Sequence, residues 1–447
     1  MDSQSDLRFL VTPGTAGVGL RGRLRVPGDK SISHRAIMLA AIATGETRIE
    51  GFLEGADALA TVRTFRRLGV TITGPDAGLV LVQGVGLSGL KVPDGPLDMG
   101  NSGTSMRLLA GLLAGQSFAT TLIGDESLSR RPMRRVTQPL GFMGARIETN
   151  AAGTAPLHIL PTAGLRGIDY RLPVASAQVK SSLLLAGLFA AGETCVTEPA
   201  PTRDHTERML TALGYPVRRT GPRVCLTGAG SGGGQLTGGR IAVPADLSSA
   251  AFFLVGASIA AGSDLTLTGV GINPTRLGVI DILRAMGADI AVLDERLAGA
   301  EPVADLRVRA APLRGIRIPV EQVPLAIDEF PAIFIAAACA TGETVLTGAE
   351  ELRVKESDRI AVMAAGLTAL GIEVEPRPDG IRIVGGSLGS GTVAAHGDHR
   401  IAMSFAIAGL RASGPIVIHD CANVETSFPG FARLAGSVGL GIEELGG

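Results

Sequence analysis

The sequence predicts an α/β protein of two domains, each made of three repeated βαβαββ-type units with buried helices and outer sheets. Three observations lead to this prediction. A polar cluster followed by an apolar helix of small residues recurs six times along the chain, which is typical of a repeat architecture. The first helix of each repeat is apolar nearly all round and must therefore be buried. Strand-like segments such as Leu306-Arg307-Val308-Arg309 alternate instead, which leaves one face of each sheet in water.

Each repeat opens with a first helix whose start is marked by a polar cluster. Ser, Thr, Asp and Asn at such positions accept hydrogen bonds from the unpaired N–H groups of the first turn. The six clusters occupy residues 29–31, 101–104, 176–178, 246–249, 328–329 and 398–400. The helices behind them read, for example, AIMLAAIATG and SLLLAGLFAAG, and a short strand follows each. Six matches in order disfavour the alternative of a generic α/β fold with coincidental spacing.

Each repeat continues with a second helix that opens at a second polar cluster. These clusters occupy residues 54–57, 129–132, 202–204, 273–275, 355–358 and 426–429. Six repeats divide naturally into two groups of three. Because residues 26–29 resemble residues 243–246, we place the domain crossovers near Val26 to Gly28 and near Val243 to Asp246. Repeats one to three then lie in residues 26–242, and repeats four to six lie in residues 243–447.

Composition and charge exclude several classes of protein. The chain has 447 residues, enough for two domains, and its formal net charge of -1 argues against a nucleic-acid binder that depends on bulk positive charge. The first residues lack the apolar core of a signal peptide, and the longest apolar runs are far shorter than the ~20 residues of a membrane span. We therefore expect a cytoplasmic enzyme with no nucleic-acid or membrane partner. The four cysteines form no CxxC pair and are expected to be buried, reduced thiols.

Cations gather at the predicted helix starts although the whole chain is nearly neutral. A helix N-terminus carries unpaired N–H groups and a partial positive charge, and such ends bind phosphate and carboxylate groups. The lysines and arginines near these starts are Lys30, Arg35, Arg131, Arg203, Lys355, Arg359 and Arg400. The pattern predicts a small ligand that carries several negative charges.

Two carboxylates, Asp328 and Glu356, lie among these cations. From the residues alone they are either salt-bridge partners or groups that carry general acid–base chemistry. No metal site is predicted, because the histidines of residues 396–399 lack a third ligand at a recognised spacing and suit loop and helix-cap positions. Residues 100–105 resemble a phosphate-binding loop but lack its Gly-Lys-Ser/Thr ending.

Eight segments of the chain carry the motifs of a known family. They read PGDKSISHR (27–35), GNSGTSMR (100–107), GDESLSRRPM (124–133), ASAQVKS (175–181), TRDHTE (202–207), IDEFP (327–331), ELRVKESDR (351–359) and DHRIAMSF (398–405). In this order they resemble the enolpyruvyl transferase family and, within it, the 5-enolpyruvylshikimate-3-phosphate synthase branch. The resemblance implies a two-domain inside-out α/β barrel that closes around its substrates, with residues 1–25 packed in the domain of residues 243–447.

The resemblance also implies a reaction. Members of this branch transfer the enolpyruvyl group of phosphoenolpyruvate to the 5-hydroxyl of shikimate 3-phosphate and release phosphate, on the shikimate pathway to chorismate and the aromatic amino acids. The reaction is an addition followed by an elimination through a tetrahedral intermediate, and it needs no cofactor. We expect a monomer, because no coiled-coil seam or long apolar edge is visible in the sequence.

Roles for individual residues follow from the resemblance alone. The contacts to shikimate 3-phosphate are Lys30, Ser31, Arg35, Ser176, Ala177, Gln178, Arg203, Asp328 and Lys355. The contacts to phosphoenolpyruvate are Lys30, Gly103, Arg131, Gln178, Arg359 and Arg400. Asp328 is implied as the base at the attacking hydroxyl, and Glu356 with Lys30 as the groups that move a proton at the methylene carbon.

A few positions depart from the commoner form of the family. Ala177 stands where many members have the second serine of a pair, and Arg203 stands where many have serine. These changes resemble a subgroup that includes members tolerant of the inhibitor glyphosate. Gly103, however, is the small residue typical of sensitive members. We therefore expect glyphosate to inhibit this chain.

Two alternatives remain open at this point. UDP-N-acetylglucosamine enolpyruvyl transferases share the fold and the donor, but they use a cysteine on a mobile loop, and the corresponding residues 127–133 contain none. They also have asparagine where this chain has Ser31. The second alternative is a non-catalytic anion-binding protein on the same scaffold, because a fold does not prove a function. The presence of Asp328 and Glu356 beside the cations argues against it.

Overall fold

The computed structural model describes residues 7–14 and 17–446, which group into two compact units. The N-unit comprises Gly28–Val243 together with Ala298–Glu301. The C-unit comprises the described residues up to Pro27, Pro244–Leu297 and the described residues from Pro302 onward. Ala298–Glu301, which the sequence analysis assigned to the domain of residues 243–447, thus groups with the N-unit. No helix in the described part of the chain is both long and apolar enough to cross a membrane.

Seven α-helices lie in the described residues of each unit. In the N-unit they are α1 (Lys30–Ile42), α2 (Ala56–Arg67), α3 (Gly103–Ala114), α4 (Glu126–Ser129), α5 (Arg134–Phe142), α6 (Ala177–Gly187) and α7 (His205–Ala212). In the C-unit they are α8 (Leu247–Ile259), α9 (Gly278–Ala285), α10 (Val323–Ala326), α11 (Phe330–Ala338), α12 (Arg359–Ala369), α13 (His399–Ala408) and α14 (Phe431–Ser437).

The strands alternate with these helices. In chain order they are β1 (Arg8–Val11), β2 (Arg21–Leu24), β3 (Thr44–Glu50), β4 (Thr71–Asp76), β5 (Leu79–Val85), β6 (Leu97–Asp98), β7 (Thr120–Ile123), β8 (Arg146–Glu148), β9 (Leu157–Leu160), β10 (Leu165–Arg166), β11 (Asp169–Arg171), β12 (Ala190–Ala191), β13 (Glu193–Thr197), β14 (Arg218–Thr220), β15 (Arg223–Thr227) and β16 (Arg240–Ala242). They continue as β17 (Asp264–Gly271), β18 (Asp289–Ala298), β19 (Glu301–Arg309), β20 (Glu343–Leu346), β21 (Glu373–Arg377), β22 (Gly380–Val384), β23 (Gly391–Ala394), β24 (Ile416–His419) and β25 (Ile442–Leu445).

Three principal sheets form in the described part of each unit. The N-unit sheets have the orders β16-β3-β5-β4, β6-β7-β9-β8 and β11-β13-β15-β14, with β10 and β12 as a separate pair. The C-unit sheets have the orders β18-β19-β17-β2, β20-β22-β21 and β23-β24-β1-β25. The two N-terminal strands complete C-unit sheets: β1 pairs antiparallel with β24 and β25, and β2 pairs parallel with β17.

Each unit has its own hydrophobic core built around its first helices. All of α8 and all of α11 are buried, and so is every residue of α1 from Ile32 to Ile42. The strands alternate as predicted: Leu306 and Val308 are buried, whereas Arg307 and Arg309 are exposed. Helices without a polar face can be stable only inside a core, and strands with one polar face suit its surface. The prediction of an α/β fold with buried helices is confirmed.

Local capping explains where most first helices begin. The side chain of Asp29 accepts a hydrogen bond from the backbone N–H of Ile32, and Ser102, Ser176, Asp246 and Asp398 cap their helices in the same way. Glu329, at the start of α11, is the exception. Its buried carboxylate instead accepts from the hydroxyl of Ser248 and lies 3.5 Å from Arg276.

The prediction of four reduced thiols is wrong for one pair. Cys195 on β13 lies directly opposite Cys225 on β15, with their Cα atoms 4.1 Å apart, and the two form a disulfide. The sequence gives no sign of this pairing because it depends on the register of two strands. Cys339 and Cys421 in the C-unit are free, and burial raises the pKa of each thiol to about 12.

The tip of the β18–β19 hairpin contributes to the N-unit. Oε1 of Glu301 lies 2.7 Å from Nδ1 of His205, within hydrogen-bond distance, and both side chains are buried. Arg208, one turn further along α7, donates to the carbonyl of Ala300 at 3.2 Å. The tip therefore holds the first turns of α7 by two polar contacts.

Candidate active site

The residues predicted from the sequence fall into two half-sites, one in each unit, and most lie at or near helix starts. The N-unit half-site contains Lys30, Ser31, Arg35, Gly103, Arg131, Ser176, Ala177, Gln178 and Arg203. The C-unit half-site contains Asp328, Lys355, Glu356, Arg359 and Arg400.

The start of α1 carries three of the predicted residues. Lys30 is the first residue of the helix and forms an ion pair with Asp57, at the start of α2. Ser31 follows it, and its carbonyl accepts from Nη1 of Arg35 at 2.9 Å. The start of α1 thus orders a lysine and an arginine within two turns.

Arg35 is buried and held by neutral oxygen atoms. Its Nε donates to the hydroxyl of Thr206 at 2.7 Å, and its Nη2 donates to the hydroxyl of Ser181 at 2.8 Å. Burial lowers the pKa of Arg35 to about 10, and the nearby charge of Arg203 contributes to the lowering. The guanidinium is still charged at neutral pH, and Arg35 and Arg203 lie close enough to interact.

Gln178 on α6 is oriented by two residues of α3. Its Oε1 accepts from Nη1 of Arg107 at 2.6 Å, and its Nε2 donates to the hydroxyl of Thr104 at 3.0 Å. Ser176 and Ala177 precede it, as the cap and the first residue of α6. The amide of Gln178 therefore has a fixed orientation, which a binding group needs.

Arg107 is a candidate functional residue that was not predicted from the sequence. It is buried in the middle of the apolar helix α3, where a charged residue is rare unless it has a partner. That anomaly was a signal available in the sequence. An added Cβ on Gly103 would lie 3.1 Å from Nη1 of Arg107 and 3.3 Å from Nη1 of Arg131. Two guanidinium groups therefore converge on the start of α3 beside Gly103.

Arg131 reaches this position from the segment after α4. Its Nη2 donates to Oδ1 of Asn101 at 2.6 Å and to the hydroxyl of Ser127 at 3.2 Å. These two bonds help to fix the orientation of the guanidinium. The half-site is accordingly suited to a phosphate or carboxylate group.

His34 connects the starts of α1 and α3 and was also not singled out as a site residue. It is fully buried; its Nδ1 lies 2.8 Å from the hydroxyl of Thr61 and 3.1 Å from that of Ser105, and its Nε2 lies 3.4 Å from the cap hydroxyl of Ser102. Burial, reinforced by the charges of Lys30 and Arg35, lowers the pKa of His34 well below its usual value. The ring is therefore neutral and bridges hydroxyl groups.

The C-unit half-site is organised around Arg359, which is buried among three carboxylates. Its Nε lies 2.8 Å from Oδ2 of Asp398, its Nη2 lies 2.7 Å from Oε2 of Glu356, and its Nη1 lies 3.4 Å from Oδ1 of Asp328. Burial alone would lower the pKa of Arg359, but these carboxylates outweigh it and raise the pKa above the ordinary value. For Asp398, burial opposes the charge of Arg359, and Arg359 prevails, so the pKa of Asp398 is lowered.

Asp328 lies in contact with three cationic side chains. Its Oδ1 is 3.4 Å from Nζ of Lys355 as well as from Arg359, and its backbone carbonyl accepts from Nη1 of Arg400 at 3.1 Å. Asp328 and Glu356 are partly exposed, unlike the fully buried Asp398. The half-site therefore offers two carboxylates that a ligand can reach, beside fixed positive charges.

A potential metal cluster lies outside both half-sites. Glu193, Cys195 and Cys225 are the potential ligands that the described residues bring together. The disulfide removes both thiolates, which are the groups a soft metal ion needs. In the segment 396–399, the carboxylate of Asp398 forms an ion pair with Arg359 and is therefore not an open metal ligand.

Comparisons with known proteins agree on one family. The family described as EPSP synthase (3-phosphoshikimate 1-carboxyvinyltransferase) matches residues 15–434. The 3-phosphoshikimate 1-carboxyvinyltransferase of Alkalilimnicola ehrlichii is 71% identical over 98% of this chain and 96% of its own length. That of Methylococcus capsulatus is 67% identical over 96% of this chain and 98% of its own length.

Solved structures extend the comparison. The structure of EPSP synthase from Acinetobacter baumannii is 57% identical, has a TM-score of 0.87, and matches 98% of this chain and 100% of its own. The enolpyruvyl transferase NikO from Streptomyces tendae has a TM-score of 0.79 at 19% identity, matches 99% of this chain and 100% of its own, and shows a shared fold alone.

Proposed function

Because this chain belongs to the EPSP synthase family, we propose that its N-unit half-site supplies most of the contacts to the two anionic substrates and its C-unit half-site supplies the carboxylates that move the protons. The enzyme transfers the enolpyruvyl group of phosphoenolpyruvate to shikimate 3-phosphate, as a step of the shikimate pathway. The observation that carries the proposal is the placement of the charged groups: two guanidinium groups converge beside Gly103 in the N-unit, whereas the partly exposed carboxylates of Asp328 and Glu356 lie beside Arg359 in the C-unit.

In this proposal several elements supply the residues that contact the phosphate, carboxylate and hydroxyl groups of shikimate 3-phosphate. The starts of α1 and α6 supply Lys30, Ser31, Arg35, Ser176, Ala177 and Gln178, the segment before α7 supplies Arg203, and the C-unit supplies Asp328 and Lys355. The closeness of Arg35 and Arg203 supports a doubly charged anion beside them.

The phosphoenolpyruvate contacts are proposed at Lys30, Gly103, Arg131, Gln178, Arg359 and Arg400. Support comes from the two guanidinium groups beside Gly103 and from the fixed amide of Gln178. We add Arg107 to this set, since it orients Gln178 and lies beside Gly103. Arg359 is held tightly by carboxylates, so its proposed part is to place Glu356 and Asp328 as well as to contact the donor.

The proposed chemistry is addition followed by elimination. Asp328 takes the proton of the 5-hydroxyl as its oxygen bonds to C2 of phosphoenolpyruvate, while Glu356, with Lys30 as a possible partner, delivers a proton to C3. A proton of C3 then returns to Glu356 as the bond between C2 and the phosphate oxygen breaks, which releases phosphate and restores the double bond. The cations around the substrates stabilise the charges that develop, and we propose that no cofactor takes part.

The proposed roles of the two half-sites can be tested by measuring steady-state phosphate release while each substrate is varied in turn. Gln178→Ala should raise KM for both substrates, because it removes a binding amide from the N-unit half-site. Glu356→Gln should lower kcat by about 10²-fold or more while KM stays within about threefold, because the amide cannot exchange the proton. The reverse pattern, with kcat lost in Gln178→Ala and KM raised in Glu356→Gln, contradicts the proposal.

We also propose that glyphosate binds at the phosphoenolpyruvate position, because Gly103 leaves room beside Arg107 and Arg131 that a methyl group would fill. Competitive inhibition in the micromolar range is expected, and Gly103→Ala should weaken it. Activity unchanged in millimolar glyphosate contradicts this. A cytoplasmic monomer is proposed as well; light scattering should give the mass of one chain, and cell fractionation should recover the enzyme with the cytosol.

A further inference from the structure

A buried ion cluster lies directly behind the N-unit half-site. Lys180 on α6 is two residues past Gln178, and its side chain is 0% exposed. Its Nζ lies 3.0 Å from Oε1 of Glu198 and 2.7 Å from Oε1 of Glu207. A buried lysine is costly unless partners of opposite charge and hydrogen bonds compensate it. We call Lys180, Glu198, Glu207 and Thr202 the Lys180 cluster.

The Lys180 cluster fixes the residue that precedes Arg203. The hydroxyl of Thr202 donates to the carboxylate of Glu198, and the carbonyl of Thr202 lies 3.5 Å from Nζ of Lys180. The side chain and the backbone of Thr202 are therefore both tied to the cluster. Because Arg203 follows in the chain, these two contacts restrict where its side chain starts.

The same cluster extends to Arg35. Glu207 follows Thr206, whose hydroxyl accepts from Arg35 and donates to Ser181 at 2.8 Å. The charge of Glu207 also opposes the lowering of the pKa of Arg35 that burial causes. The two arginines assigned to shikimate 3-phosphate thus have a common support, whereas Arg131 is held by Asn101 and Ser127.

We propose that Thr202 and Lys180 are positioning residues for shikimate 3-phosphate, which they serve by holding Arg203 in place. The inference rests on the proposed contact between Arg203 and that substrate. Its consequence is selective, since loss of the hold should weaken the binding of shikimate 3-phosphate and leave phosphoenolpyruvate unaffected. A cluster that only stabilised the fold would lower the melting temperature without separating the two substrates.

The test uses the full-length enzyme and the substitution Thr202→Val, which keeps the shape of the side chain and removes the hydroxyl. KM for shikimate 3-phosphate should rise about 5- to 20-fold, as expected for a lost hydrogen bond to a charged group, with KM for phosphoenolpyruvate and kcat within about twofold. Thr202→Ser, which restores the hydroxyl, should return KM to near the wild-type value.

Thr194→Val is the matched control. Thr194 lies on β13 in the same unit, and its buried hydroxyl has no hydrogen-bond partner among the described residues. Its removal should leave both KM values unchanged. Equal rises in both KM values in Thr202→Val, or no rise beyond that of Thr194→Val, overturn the proposal.

A double-variant cycle separates this inference from the site assignment beneath it. Arg203→Ala should raise KM for shikimate 3-phosphate by itself, and Thr202→Val should add little in that background, because its effect passes through Arg203. If Arg203→Ala leaves KM unchanged, the substrate assignment fails. If Arg203→Ala raises KM and Thr202→Val does not, or if the two effects simply multiply, the positioning role fails. Lys180→Met should reproduce the Thr202→Val pattern; should that variant fail to fold, the Thr202 series decides.

Discussion

Arg35 in the N-unit and Arg359 in the C-unit are both buried, but they donate hydrogen bonds to different groups. In the N-unit, Arg35 donates hydrogen bonds to the hydroxyl groups of Thr206 and Ser181. In the C-unit, Arg359 is surrounded by Asp398, Glu356 and Asp328, so that its charge orders carboxylates instead. Arg35 and Arg359 both lie within the first two turns of helices that an aspartate caps, Asp29 for α1 and Asp358 for α12. The hydrogen-bond partners of these two arginines therefore differ, and on this basis we propose that the C-unit carboxylates serve proton transfer.

The largest effect is expected in the C-unit, from Asp328→Asn. The amide keeps the shape of the carboxylate but cannot take a proton, so kcat should fall by about 10³-fold or more. Binding of shikimate 3-phosphate, measured by calorimetry, should persist. Asp289→Asn is the control, since Asp289 pairs with Arg309 on a C-unit sheet. Turnover near the wild-type rate in Asp328→Asn would remove the proton-transfer role from this half-site.

A smaller and different effect is expected in the N-unit, from Arg131→Ala. Loss of a guanidinium that pairs with an anionic substrate should raise KM for phosphoenolpyruvate about 30- to 100-fold, with less effect on kcat. Arg130→Ala is a closely matched control, because the neighbouring Arg130 is exposed and pairs with Glu126. An unchanged KM for phosphoenolpyruvate in Arg131→Ala would contradict the assignment of Arg131 to that substrate.

The two units should also lose stability at different pH. The pKa of His34 in the N-unit is lowered, so below about pH 6.5 the unfolded chain binds a proton that the folded chain does not, and stability falls by up to about 1.4 kcal/mol per pH unit. The pKa of Asp398 in the C-unit is also lowered, but its contribution is present above about pH 4 and is lost only as the pH falls further.

Hydrogen exchange resolved to individual helices can measure this difference between pH 5 and 8. Protection of α1 should fall on acidification while that of α12 persists, and His34→Gln should flatten the response of α1. Parallel loss in both helices, or the same slope in His34→Gln, would show that His34 does not cause the difference.

The smallest effect concerns the cysteines, which also differ between the units. A thiol reagent should find two reactive groups in the denatured, unreduced chain and four after reduction, because Cys195 and Cys225 are joined. The native protein should react slowly, since burial raises the pKa of Cys339 and Cys421 to about 12 and thiolates are the reactive form. Four groups without reductant would show that the N-unit pair is reduced.

What the sequence predicted correctly is what local chemistry determines. Asp29, Ser102 and Ser176 mark helix starts because a cap bonds within its own first turn. Glu329 looked like a member of the same class, but its partners Ser248 and Arg276 come from distant elements. The residues next to Glu329 in the sequence do not indicate these contacts.

The candidate site divides in the same way. The family motifs predicted the site residues at the helix starts. Each motif is a short continuous segment, so its residues can be recognised from the sequence alone. The contacts of Gln178 with Arg107 and of Thr202 with Lys180 require separate helices and loops to meet, which only the packed structure supplies. The cross-strand disulfide depends likewise on sheet register.

The hairpin tip at Ala298–Glu301 affects which fragment of the chain contains a complete N-unit. A fragment that ends at Val243 would contain nearly all of the N-unit and still lack the carboxylate that faces the buried ring of His205. It would also lose the carbonyl that Arg208 bonds to. The half of the molecule that is contiguous in the sequence is therefore incomplete without four residues encoded much further downstream.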